Sequence, residues 1–393
     1  MKPVIYLDNN ATTRVAPEVL EEMLPYFSDY YGNPSSMHTF GGMLGKKVVE
    51  AREKMADLIN ADPGEIIFTS CGTESDNTAI YAALRSNPQK RHIITTRVEH
   101  PAVKNLYEHL AKNGYRVTWV PVDRKGNLDV EYLYDHISDN TAIASIMWAN
   151  NETGVIFPVE KIARALKEKG VLFHTDAVQA VGKIPVDVKK AGVDMLSLSG
   201  HKFHAPKGVG ALYVKKGTKF APFMIGGHQE KGRRGGTENV AAIIGLGKAA
   251  EMAKNDMANE MQRVRILRDR LENHILDTVP NTLLNGVREN RLPNTLSVSF
   301  EYVEGESILL MLDQLGICAS SGSACTSGTL EPSHVLRALG VPFTAAHGSI
   351  RFSLSHYNTQ EEIDYLCGHI PRLIERLREM SPFWKQAASC STQ

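Results

Sequence analysis

Two residues that could do chemistry together follow predicted strands in the middle of the chain. Asp176 comes just after the apolar run 171–174, and Lys202 comes just after the apolar run 195–198. In an open α/β sheet, ligands bind at the edge formed by the carboxyl ends of the strands. We therefore expect an acid and an amine at one ligand-binding edge. Each residue alone has a simpler explanation, because a lone lysine there is usually a surface lysine and a lone aspartate often caps a helix.

Pyridoxal phosphate is a coenzyme whose chemistry needs both groups. A lysine joins it as a Schiff base, and a carboxylate keeps its pyridine nitrogen protonated so that the ring can accept electrons. Two further segments suit an anion. Gly72 and Thr73 open a predicted helix whose N–H groups could hold a phosphate, or Ser70 or Thr73 could simply cap that helix. The glycine-rich loop around Arg233 and Arg234 suggests an anion site, although many such loops are merely flexible.

The composition is that of an ordinary globular protein. The chain has 393 residues, of which 42% are apolar and 22% charged, so it is long enough for two domains with a proper core. Basic and acidic residues both number 44, which gives no indication of nucleic acid or a membrane surface as a partner. The N-terminus lacks the apolar core of a signal peptide, and we expect a cytoplasmic protein. The five cysteines include no CxxC pair, which argues against a disulfide framework and against a zinc site.

Strands alternate with helices through most of the chain, which predicts an α/β fold with a mostly parallel central sheet flanked by helices. Helices are expected at 17–26, 46–59 and 239–252. From Glu260 the apolar period changes, and we expect a smaller α+β domain there. The predicted domains are a large domain of residues 15–258, a small domain of residues 1–14 and 259–384, and a flexible tail of residues 385–393.

Several motifs occur in an order that points to one family. They lie at 8–13, 73–77, 99–100, 150–154, 174–179, 199–202 and 320–327. In this order the chain resembles the cysteine desulfurases, fold-type I pyridoxal phosphate enzymes of the aminotransferase class V superfamily. Segments 148–151, 204–208 and 345–348 are similar to the nitrogen-fixation branch, the NifS proteins. The resemblance covers nearly the whole chain, from about residue 4 to residue 384.

The resemblance implies roles around the coenzyme ring. Lys202 would carry the coenzyme and then act as the base that moves a substrate proton, a role that suits a lysine whose pKa burial lowers. Asp176 would pair with the pyridine nitrogen, and Gln179 would hydrogen-bond the ring hydroxyl. His100 would stack on the ring and help proton transfer, with a buried structural histidine as the alternative.

The resemblance also implies residues for the phosphate and the substrate. Arg351 would grip the substrate carboxylate through a two-pronged salt bridge, assisted by Asn151 and Asn33. Thr237 would reach the phosphate of the partner subunit, so that a homodimer completes the site. The residues expected to hold the phosphate within one chain are Gly72, Thr73, Ser199 and His201.

Cys325 is the candidate for sulfur chemistry. It lies among small residues at 320–328, which would give a thiol the freedom to meet a substrate and then another protein. The thiolate is the attacking form, so its pKa should be lowered when it meets the substrate. Cys318 and Cys367 are better explained as inert structural cysteines. No metal is expected, apart from a transient iron–sulfur cluster that Cys325 could contact.

The predicted function is that of a cysteine desulfurase. L-cysteine would give L-alanine and a persulfide on Cys325, and the sulfur would pass to a NifU- or IscU-like scaffold for iron–sulfur cluster assembly. One alternative is another enzyme on the same scaffold, such as a selenocysteine lyase or an aminotransferase. A more distant alternative is a non-enzymatic sulfur or iron–sulfur carrier, which would contain metal and no pyridoxal phosphate.

Overall fold

The computed structural model describes residues 4–321, 331–382 and 384. The strands are β1 (Ile5–Tyr6), β2 (Ile66–Thr69), β3 (His92–Thr96), β4 (Arg116–Val120), β5 (Thr141–Ser145), β6 (Leu172–Asp176), β7 (Met195–Ser199), β8 (Gly210–Val214), β9 (Thr282–Leu284), β10 (Thr295–Phe300), β11 (Ile317–Cys318), β12 (Ser320–Ser321) and β13 (Ser349–Ser353). The helices are α1 (Pro17–Met23), α2 (Pro25–Ser28), α3 (Thr39–Leu58), α4 (Gly72–Ser86), α5 (Pro101–Lys112), α6 (Val130–Asp135), α7 (Val159–Glu168), α8 (Val188–Ala191), α9 (Val240–Thr278), α10 (Gly305–Gln314), α11 (His334–Ala338), α12 (Phe343–Ala346) and α13 (Gln360–Met380).

The main sheet has seven strands in the order β2-β8-β7-β6-β5-β3-β4. Strand β8 runs antiparallel to its neighbours β2 and β7, and the other pairs are parallel. Every residue of β3, β5, β7 and β8 is buried, as expected for strands covered on both faces. The prediction of an α/β fold with a mostly parallel central sheet flanked by helices is confirmed.

A second sheet forms from the C-terminal part of the chain. Its antiparallel order is β12-β13-β10-β9, and β1 pairs with β11 beside it. This part has its own apolar core, which also contains Leu7 from the N-terminal segment. The first residues of the chain are thus held against its last third. The division into two domains stays a prediction.

Helix α9 is longer than the sequence predicted, because the expected helix ended at residue 252. It continues for 39 residues to Thr278 without a break. Its first half packs on the core of the main sheet as far as Met261, and from Val264 onward its buried residues belong to the second core. The apolar period changes near residue 260 because the helix changes the core it faces.

Two other helix boundaries differ from the prediction for local reasons. The helix predicted at 17–26 is split into α1 and α2, because Pro25 starts a new first turn and has no N–H to continue the old one. Helix α3 begins at Thr39, earlier than the predicted residue 46, and includes Gly41, where a Cβ would lie 2.3 Å from the Asn33 carbonyl oxygen. In the part of the chain described, no helix has the length and apolar character needed to cross a membrane.

Candidate active site

A cavity of about 380 Å³ lies at the carboxyl ends of β6 and β7, the edge that the sequence indicated. This volume falls in the range of small-molecule sites. Ten of the residues predicted to form the site line it: Gly72, Thr73, His100, Asn151, Asp176, Gln179, Ser199, His201, Lys202 and Arg351. Residues that are distant in sequence are therefore brought together as expected, although their roles stay proposals.

Lys202 ends a tight helical turn, Gly200–Lys202, directly after β7. Its Nζ donates to the main-chain carbonyls of Asn10 and Ala11, both at 2.7 Å. Burial and the nearby Arg351 guanidinium lower the pKa of Lys202 to about 8, against the opposing pull of Asp176 and Asp8. A substantial fraction of this amine is therefore neutral near physiological pH, which is the form that attacks carbonyl carbons and accepts protons.

Asp176 is the last residue of β6 and is almost fully buried. Its Oδ1 accepts from the Val178 N–H at 2.9 Å. Burial raises the pKa of Asp176 to about 6, while that N–H and Lys202 oppose the rise. Burial and repulsion from Asp176 raise the pKa of the neighbouring Asp76 well above its ordinary value. A cationic ring nitrogen against Asp176 would offset the cost of burying its charge.

The start of α4 forms an anion cradle in the same cavity. Its N-cap residue, Cys71, makes no side-chain capping bond, so the N–H groups of the first turn remain available for a ligand. A Cβ on Gly72 would lie 2.8 Å from Val178 Cγ2, so a larger residue would crowd the cradle. The Ser199 hydroxyl is buried and has no hydrogen-bond partner among the described residues. These features fit a phosphate better than the capping by Ser70 or Thr73 that was the alternative.

Two histidines in the cavity are neutral. His100 caps α5, where its Nδ1 accepts from the Ala102 N–H at 3.2 Å. Although part of His100 is exposed to solvent, the protein packed around its ring lowers its pKa to about 4, and the nearby Lys202 and His334 add to this effect. Burial beside Lys202 also lowers the pKa of His201 to about 4. A neutral ring at His100 can lie against an aromatic coenzyme without placing a second cation beside Lys202.

Arg351 lies on β13 and points a partly used guanidinium into the cavity. Its Nη1 donates to the Asn151 carbonyl at 3.1 Å, and its Nη2 donates to Asp8 Oδ1 at 2.8 Å. Its Nε has no partner among the described residues. Because a guanidinium carries five N–H donors, it can still bind a carboxylate in two-pronged fashion.

The N-terminal segment plays a part that the sequence did not reveal. The Asn10 main-chain carbonyl accepts from both Lys202 and Gln179, at 2.7 and 3.0 Å. The Asn10 side chain bonds Thr295 and Lys183, and Asp8 holds Arg351. The motif at 8–13 was recognisable as part of the family pattern, but its contacts depend on chain folding that brings it back to the sheet edge.

Some predicted residues lie elsewhere. Asn33 is exposed and its side chain accepts from the Ser35 N–H, and Thr237 is exposed on the glycine-rich loop; neither lines the cavity. Cys325 lies outside the described residues. Of the other cysteines, Cys367 is buried, which raises the pKa of its thiol to about 11 and agrees with an inert structural residue.

The two arginines of the glycine-rich loop are engaged within the protein. Arg234 pairs with Glu74 at 2.8 Å, and Arg233 donates to the carbonyls of Gly64 and Ile66. The loop is thereby fastened to α4 and to the start of β2 with the residues just before it. The suggestion that both arginines form an anion site is not supported by these contacts.

Comparisons with known proteins agree with this geometry. The Aminotransferase class-V family matches residues 5–366. A cysteine desulfurase of Trichormus azollae is 58% identical over 390 residues, which cover 98% of both chains. The cysteine desulfurase NifS of Azotobacter vinelandii is 56% identical over 381 residues, covering 97% of this chain and 95% of that protein.

A solved structure of a NifS-like protein has the same fold. It is 41% identical to this chain and superposes with a TM-score of 0.90, covering 95% of this chain and 100% of the other. The identity, the coverage and the fold lead to one assignment. This chain belongs to the class V aminotransferase family and, within it, to the cysteine desulfurases of the NifS type.

Proposed function

We propose that this chain takes sulfur from L-cysteine with bound pyridoxal phosphate, releases L-alanine and keeps the sulfur as a persulfide on Cys325. Enzymes of this family use pyridoxal phosphate. The observation that carries the proposal is the combination of groups around one cavity. An amine of low pKa, a buried carboxylate, an uncapped helix start and a partly free guanidinium all face it.

The chain's own residues would divide the work as follows. The helix start at Gly72 and the hydroxyls of Thr73 and Ser199 would hold the coenzyme phosphate, and Asp176 would hold its ring nitrogen. When bound, the coenzyme supplies an electron sink that makes the substrate Cα proton removable and weakens the Cβ–S bond. Lys202, neutral above about pH 8, would accept that proton.

Arg351 would fix the substrate by its carboxylate. Ser320 of β12, which precedes Cys325 in the chain, pairs with Arg351 of β13. The Cys325 thiolate would attack the substrate sulfur, forming an S–S bond as the Cβ–S bond breaks. The electron pair of that bond goes to the carbon fragment, which takes up a proton equivalent to the one lost by the Cys325 thiol and leaves as L-alanine.

We also propose that the active form is a homodimer. Large apolar side chains are exposed along α1, α2 and the start of α3: Leu20, Leu24, Phe27, Tyr30, Tyr31, Met37, Phe40 and Met43. We call these residues the N-terminal apolar patch. Exposed apolar surface of this extent commonly marks a protein interface. A second copy would cover it and would give the exposed Thr237 a phosphate to bind.

The sulfur acceptor would be a NifU- or IscU-like scaffold, so that the chain serves iron–sulfur cluster assembly of the nitrogen-fixation type. The names of the relatives support this step of the proposal. A cytoplasmic location, where enzyme and scaffold would meet, stays a prediction.

The direct test replaces the proposed sulfur acceptor. Cys325→Ala should lower alanine and persulfide formation from L-cysteine at least about 100-fold, because the attacking group is gone. Cys318→Ala, which removes a half-buried thiol seven positions earlier, should keep the parental rate. Alanine is measured by chromatography, and persulfide is located by mass spectrometry of peptides.

Two results would contradict the proposal. Parental activity in Cys325→Ala would remove that residue from the chemistry, and a purified protein without pyridoxal phosphate would remove the reaction itself. L-selenocysteine supplied in parallel separates the desulfurase from a selenocysteine lyase by the preferred substrate.

A further inference from the structure

A second lysine lies beside the cavity and has no place in the chemistry above. Lys183 lies four residues after Gln179 in the sequence, and its side chain is half-buried. Its Nζ lies 2.6 Å from Gln179 Oε1 and 3.2 Å from Asn10 Oδ1. Lys202, in contrast, lines the cavity and bonds the main-chain carbonyl of the same Asn10. The two amines thus contact the same asparagine. Lys202 does so from the lining of the cavity, and Lys183 does so from outside that lining.

The contacts of Gln179 fix which way its amide points. The Asn10 carbonyl oxygen can only accept a hydrogen bond, so the Gln179 nitrogen must be the atom that faces it, at 3.0 Å. The Gln179 oxygen then faces Lys183, whose nitrogen donates to it. Both contacts demand the same orientation. The amide nitrogen has a second hydrogen, and Gln179 lines the cavity.

The orientation of the Gln179 amide does not depend on whether Lys183 is charged. Burial, with Lys202 and Arg351 nearby, lowers the pKa of Lys183 well below its ordinary value. An ammonium and a neutral amine both have N–H groups to donate. The shorter contact to the Gln179 oxygen therefore persists in either state, and it polarises the amide toward stronger donation from its nitrogen.

We propose that Lys183 is a positioning residue that holds the Gln179 amide with its N–H toward the cavity, where it donates to the ring oxygen of the bound coenzyme. This inference rests on the proposed function, because it requires pyridoxal phosphate in the cavity. Lys183 acts through Gln179 and does not touch the reacting atoms. Without it, the Gln179 side chain can turn and place its oxygen against an oxygen of the ligand.

Lys183→Met tests the proposal, since methionine keeps most of the side-chain volume and removes the donor. The apoprotein should bind pyridoxal phosphate about tenfold more weakly, the effect of losing about one good hydrogen bond. The visible absorption of the bound coenzyme should change at a higher pH, because one donor to the ring oxygen is lost. Lys183→Arg, which keeps the donor, should restore both properties in large part.

The matched control is Lys189→Met. Lys189 is more than half exposed and pairs at the surface with Asp62, so its loss should leave coenzyme affinity and spectrum unchanged. The melting temperature of each apoprotein is measured as well. A lower affinity in Lys183→Met with an unchanged spectrum and pH profile, accompanied by a lower melting temperature, would indicate a merely structural role and overturn the proposal.

A double-mutant cycle checks that Lys183 acts through Gln179. In a Gln179→Ala background, Lys183→Met should have little further effect on affinity or on the pH profile. Full additivity of the two changes would overturn the proposal. If the parental protein binds no pyridoxal phosphate at all, the proposed function fails; if it binds and Lys183→Met matches it, this inference alone fails.

Discussion

Titratable side chains around the cavity are close enough to control each other's protons. Asp176 and Asp76 are both buried, which raises the pKa of each, and repulsion from Asp176 raises that of Asp76 further; Glu99 is a third buried acid near Asp176. Lys202 is shifted the opposite way, to a pKa of about 8. Near neutral pH, Asp76 and Glu99 therefore hold their protons, while Asp176 is largely ionised near an amine that is easily neutralised. A cationic ligand nitrogen at Asp176 would change this balance most.

Glu99 gives a pH prediction for stability. Its Oε1 accepts from Thr96 and from the Met147 N–H, and burial raises the pKa of its carboxyl from 4.5 to about 8. The pKa is higher in the folded than in the unfolded chain, so the stabilisation is complete below about pH 4.5 and is lost as the pH rises to about 8. Glu99→Gln cannot ionise and should lose less stability across that range.

The measurement is the free energy of unfolding from denaturant titrations at several pH values between 4.5 and 9. The parental protein should lose a few kcal/mol relative to Glu99→Gln as the pH rises. Glu108→Gln, an exposed residue on α5, serves as the control and should follow the parental curve. Parallel curves for the parent and Glu99→Gln would show that Glu99 is already ionised in the folded protein.

Arg351 gives a prediction for substrate binding. Arg351→Gln should raise the KM for L-cysteine about 10- to 100-fold, the effect of losing a two-pronged bond to a carboxylate. Binding of cysteamine, which lacks the carboxylate, should change little. Steady-state kinetics give the first quantity, and absorbance titration of the holoenzyme gives the second. Equal losses for both ligands would mean that Arg351 supports the site as a whole.

Helix α4 is fastened to the surrounding fold and also presents the N–H groups that are proposed to hold the phosphate. It starts directly after β2 and is fastened by Glu74, which accepts from the Ser70 N–H and pairs with Arg234. These contacts hold the first turn in place without using its free N–H groups. The close approach of Val178 to Gly72 joins this helix to the turn after Asp176.

The close approach of Val178 to Gly72 predicts the effect of adding a single methyl group at position 72. Gly72→Ala should weaken coenzyme binding about tenfold or more, because its Cβ would lie 2.8 Å from Val178 Cγ2 and one of the two segments must move. Adding Val178→Ala should recover part of the loss. Gly64→Ala, where a Cβ would meet nothing within 4 Å, is the control. Absorbance titration of apoproteins gives the affinities, and no rescue by Val178→Ala would reject the steric explanation.

The sequence predicted elements and strand ends better than it predicted contacts between them. Asp176 and Lys202 could be placed at one sheet edge because parallel strands bring their carboxyl ends together. The continuity of α9 could not be predicted, since its apolar face is shared by two cores. Asn10 could not be recognised as a partner of Lys202 because 192 positions separate the two residues in the chain.

At the scale of the whole molecule, one chain accounts for most of the site but leaves two features unexplained. The N-terminal apolar patch faces solvent, with Tyr31 73% exposed and Phe27 63% exposed. Thr237 lies away from the cavity of its own chain. A second copy of the chain would explain both features, because it would bury the patch and bring each Thr237 to the other's phosphate.

If the active form is a homodimer, a charged residue in the N-terminal apolar patch should disrupt both assembly and coenzyme binding. Phe27→Asp should shift the protein from dimer to monomer in sedimentation velocity, since an aspartate would be buried against apolar side chains. The monomer should bind pyridoxal phosphate more weakly, because the contribution of the partner's residues is lost. Circular dichroism verifies that the variant remains folded. Leu310→Asp, which changes an exposed residue of α10, is the control and should remain dimeric. A folded Phe27→Asp dimer with parental affinity would show that the patch serves another partner, and a monomeric parent would reject the homodimer itself.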